Sequence, residues 1–130
     1  MTKEEHIQYW LRQVNSDWEA ADALYKANLF VQSLFWAHLT LEKLCKALWV
    51  KKNVGNTPPL VHNLVKIAVQ TGESFSVQEL EFFSDMNTFQ IKGRYPDYAD
   101  NLAETVTREV CEEYLENTKK MMSCLQEKLQ

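Results

Sequence analysis

Glycine and proline are scarce, at three residues each in a chain of 130. So few breakers exclude the many tight turns of a β-sandwich or barrel and favour long, uninterrupted elements. Cysteine is scarce as well. Cys45, Cys111 and Cys124 are an odd set, with no C-x-x-C pair and no histidine at metal-ligand spacing, which excludes a disulfide framework and a structural zinc site. The thiols are expected to be reduced and to act as small, partly buried hydrophobes. An excess of positive charge is also missing. The net charge of −4 argues against a protein that grips duplex DNA by overall charge, while leaving room for a local basic patch. No long apolar run survives intact either: residues 29–50 are broken by Gln32, His38, Glu42, Lys43 and Lys46, which excludes a membrane span. The opening Met-Thr-Lys-Glu-Glu-His lacks the apolar segment of a secretory signal, so the expected location is the cytoplasm.

Hydrophobic residues make up 45% of the chain and charged residues 25%, the balance of a globular protein with one core. A single domain over residues 1–130 is expected. Ile7, Leu11, Val14, Trp18, Ala21 and Tyr25 recur every three or four residues, which predicts a helix over residues 3–27, with Asn28 as its left-handed stop. A second helix is expected over residues 29–52, antiparallel to the first because the connection is short. Leu34, Ala37, Leu41, Leu44 and Leu48 form one stripe of it, which Phe35, Trp36, Cys45 and Trp49 widen beyond what one neighbour covers. Such a helix is either central in its bundle or also faces a second subunit, and both are expected here.

Residues 53–59 are the clearest break, and Thr57 with Pro58 predicts the start of a third helix, whose buried side carries Leu60, Leu64 and Ile67 and which ends near Gly72. Ser76 and Glu79 make a capping box for a fourth helix with Val77, Leu80, Phe82, Phe83, Met86 and Phe89. The pattern stops over residues 90–100, and Asn101 followed by Glu104 predicts a last helix carrying Ala103, Val106, Val110, Tyr114, Met121 and Leu125. The expected fold is all-α, an antiparallel up-and-down bundle of about five helices.

Three segments carry a resemblance. The run from Ala37 to Leu48, with Glu42-Lys43 followed by Lys46-Ala47, resembles the second-helix signature of HEPN domains. His62-Asn63-Leu64 is similar to the family's H-x-L before the next short helix, and Gly93-Arg94-Tyr95-Pro96-Asp97 to the R-Y-P-D preceding the final helix in one branch. The resemblance implies a homodimer, often beside a minimal nucleotidyltransferase in a toxin–antitoxin-like pair. Catalytic members are metal-independent ribonucleases using an R-x(4–6)-H motif; others are thought to bind nucleotides without cleaving RNA. Here Ala99, Asp100 and Asn101 occupy the positions where that histidine would follow Arg94, and no histidine follows anywhere. The usual acid–base partner is missing, which argues against catalysis.

His38, Glu42 and Lys46, spaced by four, line one polar strip on an apolar helix. That strip either holds phosphates or an acidic partner, or is an ordinary i,i+4 ion pair. Arg94 offers a planar fork for phosphate, with Tyr95 or Tyr98 as a stacking ring, or it pairs with Asp97 or Glu42 to tie down its loop. His62 caps or packs, or lies at the site. The leading expectation is a HEPN-type binding module holding a nucleotide or RNA in a dimer cleft lined by Glu42, Lys43, Lys46, His62, Arg94, Tyr95 and Asp97, with no catalytic residue, metal or cofactor assigned. Its rivals are a divergent ribonuclease toxin using Arg94 with His38 or His62, and a structural adaptor without a ligand.

Overall fold

The structure, a computed structural model, describes residues 1–92 and 104–130. Among these residues there are five helices and no strand: α1 (Lys3–Lys26), α2 (Phe30–Lys52), α3 (Leu64–Gln70), α4 (Val77–Lys92) and α5 (Arg108–Lys128). No described helix is long and apolar enough to cross a membrane.

Thr2 caps α1 by accepting the Glu5 amide at 3.1 Å, and Asn28 stops it in the left-handed region at φ 64°. There the Leu29 amide donates back to the Leu24 carbonyl at 2.9 Å, which closes the terminal turn. Ile7, Val14 and Ala21 are buried on the expected stripe, and Leu11, Trp18 and Tyr25 pack around them half-buried.

The directions of the long helices follow from their contacts. Lys3, at the start of α1, reaches the end of α2, so these two are antiparallel. Cys111 lies against the Phe30 carbonyl and Lys51 donates to the Leu129 carbonyl, so α5 runs parallel to α2. Phe89 stacks edge-on against Tyr114 while Glu79 meets Cys124, so α4 opposes α5. The result is an up-and-down arrangement, with α3 as a short brace.

Helix α2 is central and touches all four others. Leu34, Leu41, Leu44 and Leu48 are fully buried with Leu64, Ile67, Phe83, Met86 and Leu125. Each contributes about 1.5–3 kcal/mol by leaving water. Two buried hydroxyls inside α2 are satisfied by carbonyls: Ser33 donates to the Ala21 carbonyl at 2.7 Å and Thr40 to the Trp36 carbonyl at 2.9 Å. The wide apolar surface of α2 is therefore largely consumed within one chain. Phe35, Trp36 and Leu39 remain half-buried along one side.

Three boundaries differ from the sequence expectation: the starts of the third and last helices and the end of the fourth. The third helix does not start after Thr57. It starts at Leu64, Asn63 caps it by accepting the Lys66 amide at 3.2 Å, and Leu60 is 91% exposed. The reason is local: Thr57 and Pro58 each precede a proline, which pushes both out of the helical region. Helix α4 opens on the expected capping box, with the Ser76 amide donating to Glu79 at 2.8 Å and the Glu79 amide to Ser76 at 3.0 Å, but it runs on to Lys92. The Asn101 cap lies outside the described residues. Helix α5 itself is capped by Thr107, which accepts the Val110 amide at 3.2 Å, and Val106 is buried just ahead of it.

Polar ties bind the ends of the bundle. The Lys3 ammonium sits among four oxygens: the carbonyls of Val50 (2.8 Å), Asn53 (2.9 Å) and Gly55 (3.0 Å), and Asn56 Oδ1 (2.9 Å). At the opposite end Arg108 donates to Asn28 Oδ1 and lies over the Tyr25 and Phe30 rings. The three cysteines are free, and burial pushes all three thiols upward, Cys111 to about 11.

Candidate functional site

Helix geometry puts residues four apart within about 40° of one another, so His38, Glu42 and Lys46 project from α2 on one side. That side faces the loop before α3. The Glu42 carboxylate is only 4% exposed, and a buried charge is tolerated only when paired. Lys46 donates to Oε2 at 3.1 Å, and His62 Nδ1 lies 3.0 Å from Oε1 and 3.2 Å from Oε2. Lys46 is itself 6% exposed, with its ammonium 5.3 Å from the centre of the Trp10 ring.

His38 is fully buried behind Glu42. Burial pushes its pKa down from 6.5 to about 4, against the opposing pull of the Glu42 charge and the hydrogen bond to Asn87. The ring is therefore neutral. Its Nε2 lies 3.3 Å from Asn87 Oδ1. That amide is oriented by two other bonds: the Leu64 amide donates to Oδ1 at 2.9 Å, and Asn87 Nδ2 donates to Asn63 Oδ1 at 3.0 Å. With Oδ1 so fixed, Nε2 carries the imidazole proton and Nδ1 is the bare nitrogen. Nδ1 has no hydrogen-bond partner among the described residues and sits 3.9 Å from Glu42 Oε1.

These bonds lock the loop before α3 from both sides. Asn63 caps α3 and is held by Asn87, while His62 is held by Glu42. The His62 side chain is 49% exposed. Its Nδ1 is turned to the buried carboxylate. The residue also lines a cleft of about 390 Å³, together with Val61, Asn63, Lys66, Asn87 and Gln90. The lining offers amide donors and acceptors, one ammonium and one imidazole, and no carboxylate. A groove between α4 and α5, about 420 Å³, is lined instead by Glu81, Asp85 and Glu113 and repels anions. No group of three or more His, Cys, Asp or Glu side chains that could hold a metal occurs among the described residues.

Of the residues expected at the site, the structure brings Glu42, Lys46 and His62 together. Lys43 points elsewhere: its ammonium pairs with the buried Asp17 at 2.6 Å on the α1 side. Arg94, Tyr95 and Asp97 lie outside the described residues. Sequence reasoning did not single out Asn87, Lys66 or Gln90. The signal for two of them was present, since Asn87 and Gln90 share the inward stripe of Phe83 and Met86 on α4.

A family model described as HEPN domain matches residues 7–129 of the chain. Comparison with curated proteins and with solved structures finds no match.

Proposed function

The chain belongs to the HEPN domain family, and from that premise we propose that it is a binding module, one HEPN unit in extent, that holds the phosphate of a nucleotide or of RNA in the cleft beside His62. The observation that carries this reading is the rigid, carboxylate-free cleft backed by the Glu42–Lys46–His62 cluster. A buried ion pair is no source of net stability compared with apolar packing. It does hold the His62 imidazole at the edge of a cavity, beside Asn63 and Asn87, which bond to one another. Lys66 and His62 supply cationic donors, and Asn63, Asn87 and Gln90 supply groups that read a base or ribose.

Arg94, Tyr95 and Asp97 complete the site in this reading. Gln90, which lines the cleft, is four positions ahead of Arg94 in the sequence. The protein works as a cytoplasmic homodimer, with the half-buried Phe35, Trp36 and Leu39 of α2 as the apolar surface left for pairing. Its macromolecular partner is a minimal nucleotidyltransferase, as in toxin–antitoxin-like pairs.

Titration with ATP, GTP and a short single-stranded RNA tests the reading. Saturable binding is expected, weakened by Lys66→Ala about tenfold or more, the loss of one charge-assisted hydrogen bond at ~1.5–3 kcal/mol. No saturable signal at millimolar ligand would sink it and leave the structural adaptor. Sedimentation tests the dimer, and a clean monomer at micromolar concentration would refute it.

One observation favours a second reading. A carboxylate holding Nδ1 of a histidine that lines a cleft is the arrangement that prepares an acid–base group. A divergent ribonuclease would therefore use His62, with Arg94 on the phosphate. Growth arrest on overexpression, abolished by His62→Ala and by Arg94→Ala, supports it; intact RNA after incubation with the purified protein refutes it.

A further inference from the structure

Among the described residues, α4 and α5 both pack on α2, but their backbones barely approach each other. Side chains bridge them at two levels, Phe89 against Tyr114 and Glu79 against Cys124. A groove runs along the pair as three adjoining cavities of about 360, 420 and 200 Å³. Phe82 and Asn117 line both the first and the second, and Asp85 and Tyr114 line both the second and the third. From Gln78 to Thr88 the α4 wall extends for about 15 Å, at a rise of ~1.5 Å per residue.

The floor of this groove is apolar and its rim is acidic. Phe82, Val110 and Tyr114 are half-buried and Met121 is buried. Glu81, Asp85 and Glu113 are exposed and have no ion-pair partner among the described residues. Burial, and then the charges of Asp85 and Glu113, push the Tyr114 phenol upward, as unneutralised negative charge in mid-groove would. Lys120 lines one end and leans to Glu116 at 3.8 Å.

That rim refuses nucleic acid and anionic lipid. An extended peptide has nothing to pair with, because the walls are helices whose amides and carbonyls bond within themselves. A helix satisfies its own backbone. It can lay one apolar stripe on the floor and set the cations beside that stripe on the rim. A second copy of this chain does not supply such a helix. Helices α1, α4 and α5 each carry more carboxylates than cations, and α3 has Lys66 alone. In α2, Lys43 and Lys46 are committed to Asp17 and Glu42, Lys51 to the C-terminal carbonyls and Lys52 to Glu73. The sequence joining α4 to α5 sets Arg94 against Asp97 and Asp100.

We propose that the groove between α4 and α5 docks a lysine- or arginine-rich amphipathic helix of another protein, with its apolar stripe on Phe82, Val110 and Tyr114 and its cations on Glu81, Asp85 and Glu113. The groove shares no lining residue with the cleft beside His62, so it stands independently of the phosphate-binding reading.

The probe is a fluorescein-labelled peptide of about 14 residues, roughly 21 Å as a helix, with leucines at i, i+3, i+4, i+7 and i+11 and lysines on both flanks. One control peptide has glutamate for every lysine, and another has the same residues in scrambled order. Anisotropy with the full chain is expected to show saturable micromolar binding of the lysine peptide, about tenfold weaker binding of the scrambled one, and none of the glutamate peptide. Glu81→Lys combined with Asp85→Lys is expected to weaken the lysine peptide about tenfold or more and to take up the glutamate peptide. Glu4→Lys with Glu19→Lys makes the same change of charge on exposed positions of α1 and is expected to alter neither. Circular dichroism checks that each variant is folded, and Glu81→Gln with Asp85→Asn replaces the reversed pair if it is not. Equal binding of the lysine and scrambled peptides overturns the proposal. So does an affinity unchanged by the Glu81 and Asp85 variants, or the absence of a saturable lysine-peptide signal up to millimolar concentration.

Discussion

Glu42 is the residue on which the site depends, because it is a charge that the fold has taken out of water. Removing one partner of such a pair leaves the other uncompensated, at a cost of about 3–5 kcal/mol. Lys46→Met is expected to lose that much in urea denaturation. Lys46→Met combined with Glu42→Leu is expected to recover most of it, since the charge to be buried is gone and the volume is kept. A single-variant cost below ~1 kcal/mol would mean that the carboxylate is not held as the geometry shows. His38 makes a separate prediction about pH. Its folded pKa, about 4, lies below the ordinary 6.5. Between those values the unfolded chain binds a proton that the folded chain does not, so stability is lost as pH falls from about 6.5 to 4, by ~3 kcal/mol in all. His38→Gln is expected to flatten that part of the stability profile, read by denaturation at several pH values. An unchanged slope would show that His38 is not the group responsible.

At the scale of single helices, α3 is the shortest, seven residues, and its start is fixed by Asn63 and Asn87. Asn63→Ala removes its cap and the bond to Asn87 together, with an expected loss of about 1–2 kcal/mol in thermal or urea unfolding. Gly72, at φ 81°, ends the turn after α3, and Gly72→Ala is expected to cost about 1 kcal/mol from backbone strain alone. The same helix shows where sequence reading stops. Helices α1, α2 and α4 were legible because their signals are local: a stripe of period 3.6, a left-handed Asn28, a box of two residues one turn apart. The start of α3 is not where Pro58 suggests a first helical turn, because Pro59 follows it and disfavours that conformation. The Glu42–Lys46 pair was legible from spacing. Lys43 was grouped with them by motif, although one residue along a helix turns the side chain by about 100°, and it pairs with Asp17. Asn87 was not legible, because its role joins α2, α3 and α4, and no short-range pattern encodes three helices meeting.

On the scale of the whole molecule, the apolar surface of α2 has the central place in the bundle that its sequence suggests. Helices α1, α3, α4 and α5 all pack on it, while Phe35, Trp36 and Leu39 stay half-buried. Among the described residues, amides in the middle of α2 are therefore expected to exchange with deuterium slowly, at the free energy of global unfolding, and those of Leu60 and Val61, outside any helix, much faster. The end of α2 is also where the Lys3 ammonium is enclosed by four oxygens. In host–guest terms, the loop after α2 is a small crown ether and Lys3 is its tethered guest. An ammonium head and a potassium ion ask much the same of such a ring: several oxygen dipoles around one positive charge. Lys3→Met empties the ring without adding a competing cation. The melting temperature of that variant is expected to rise with potassium or ammonium chloride and much less with choline chloride, while the unaltered chain, whose ring is already filled, should not distinguish the three salts.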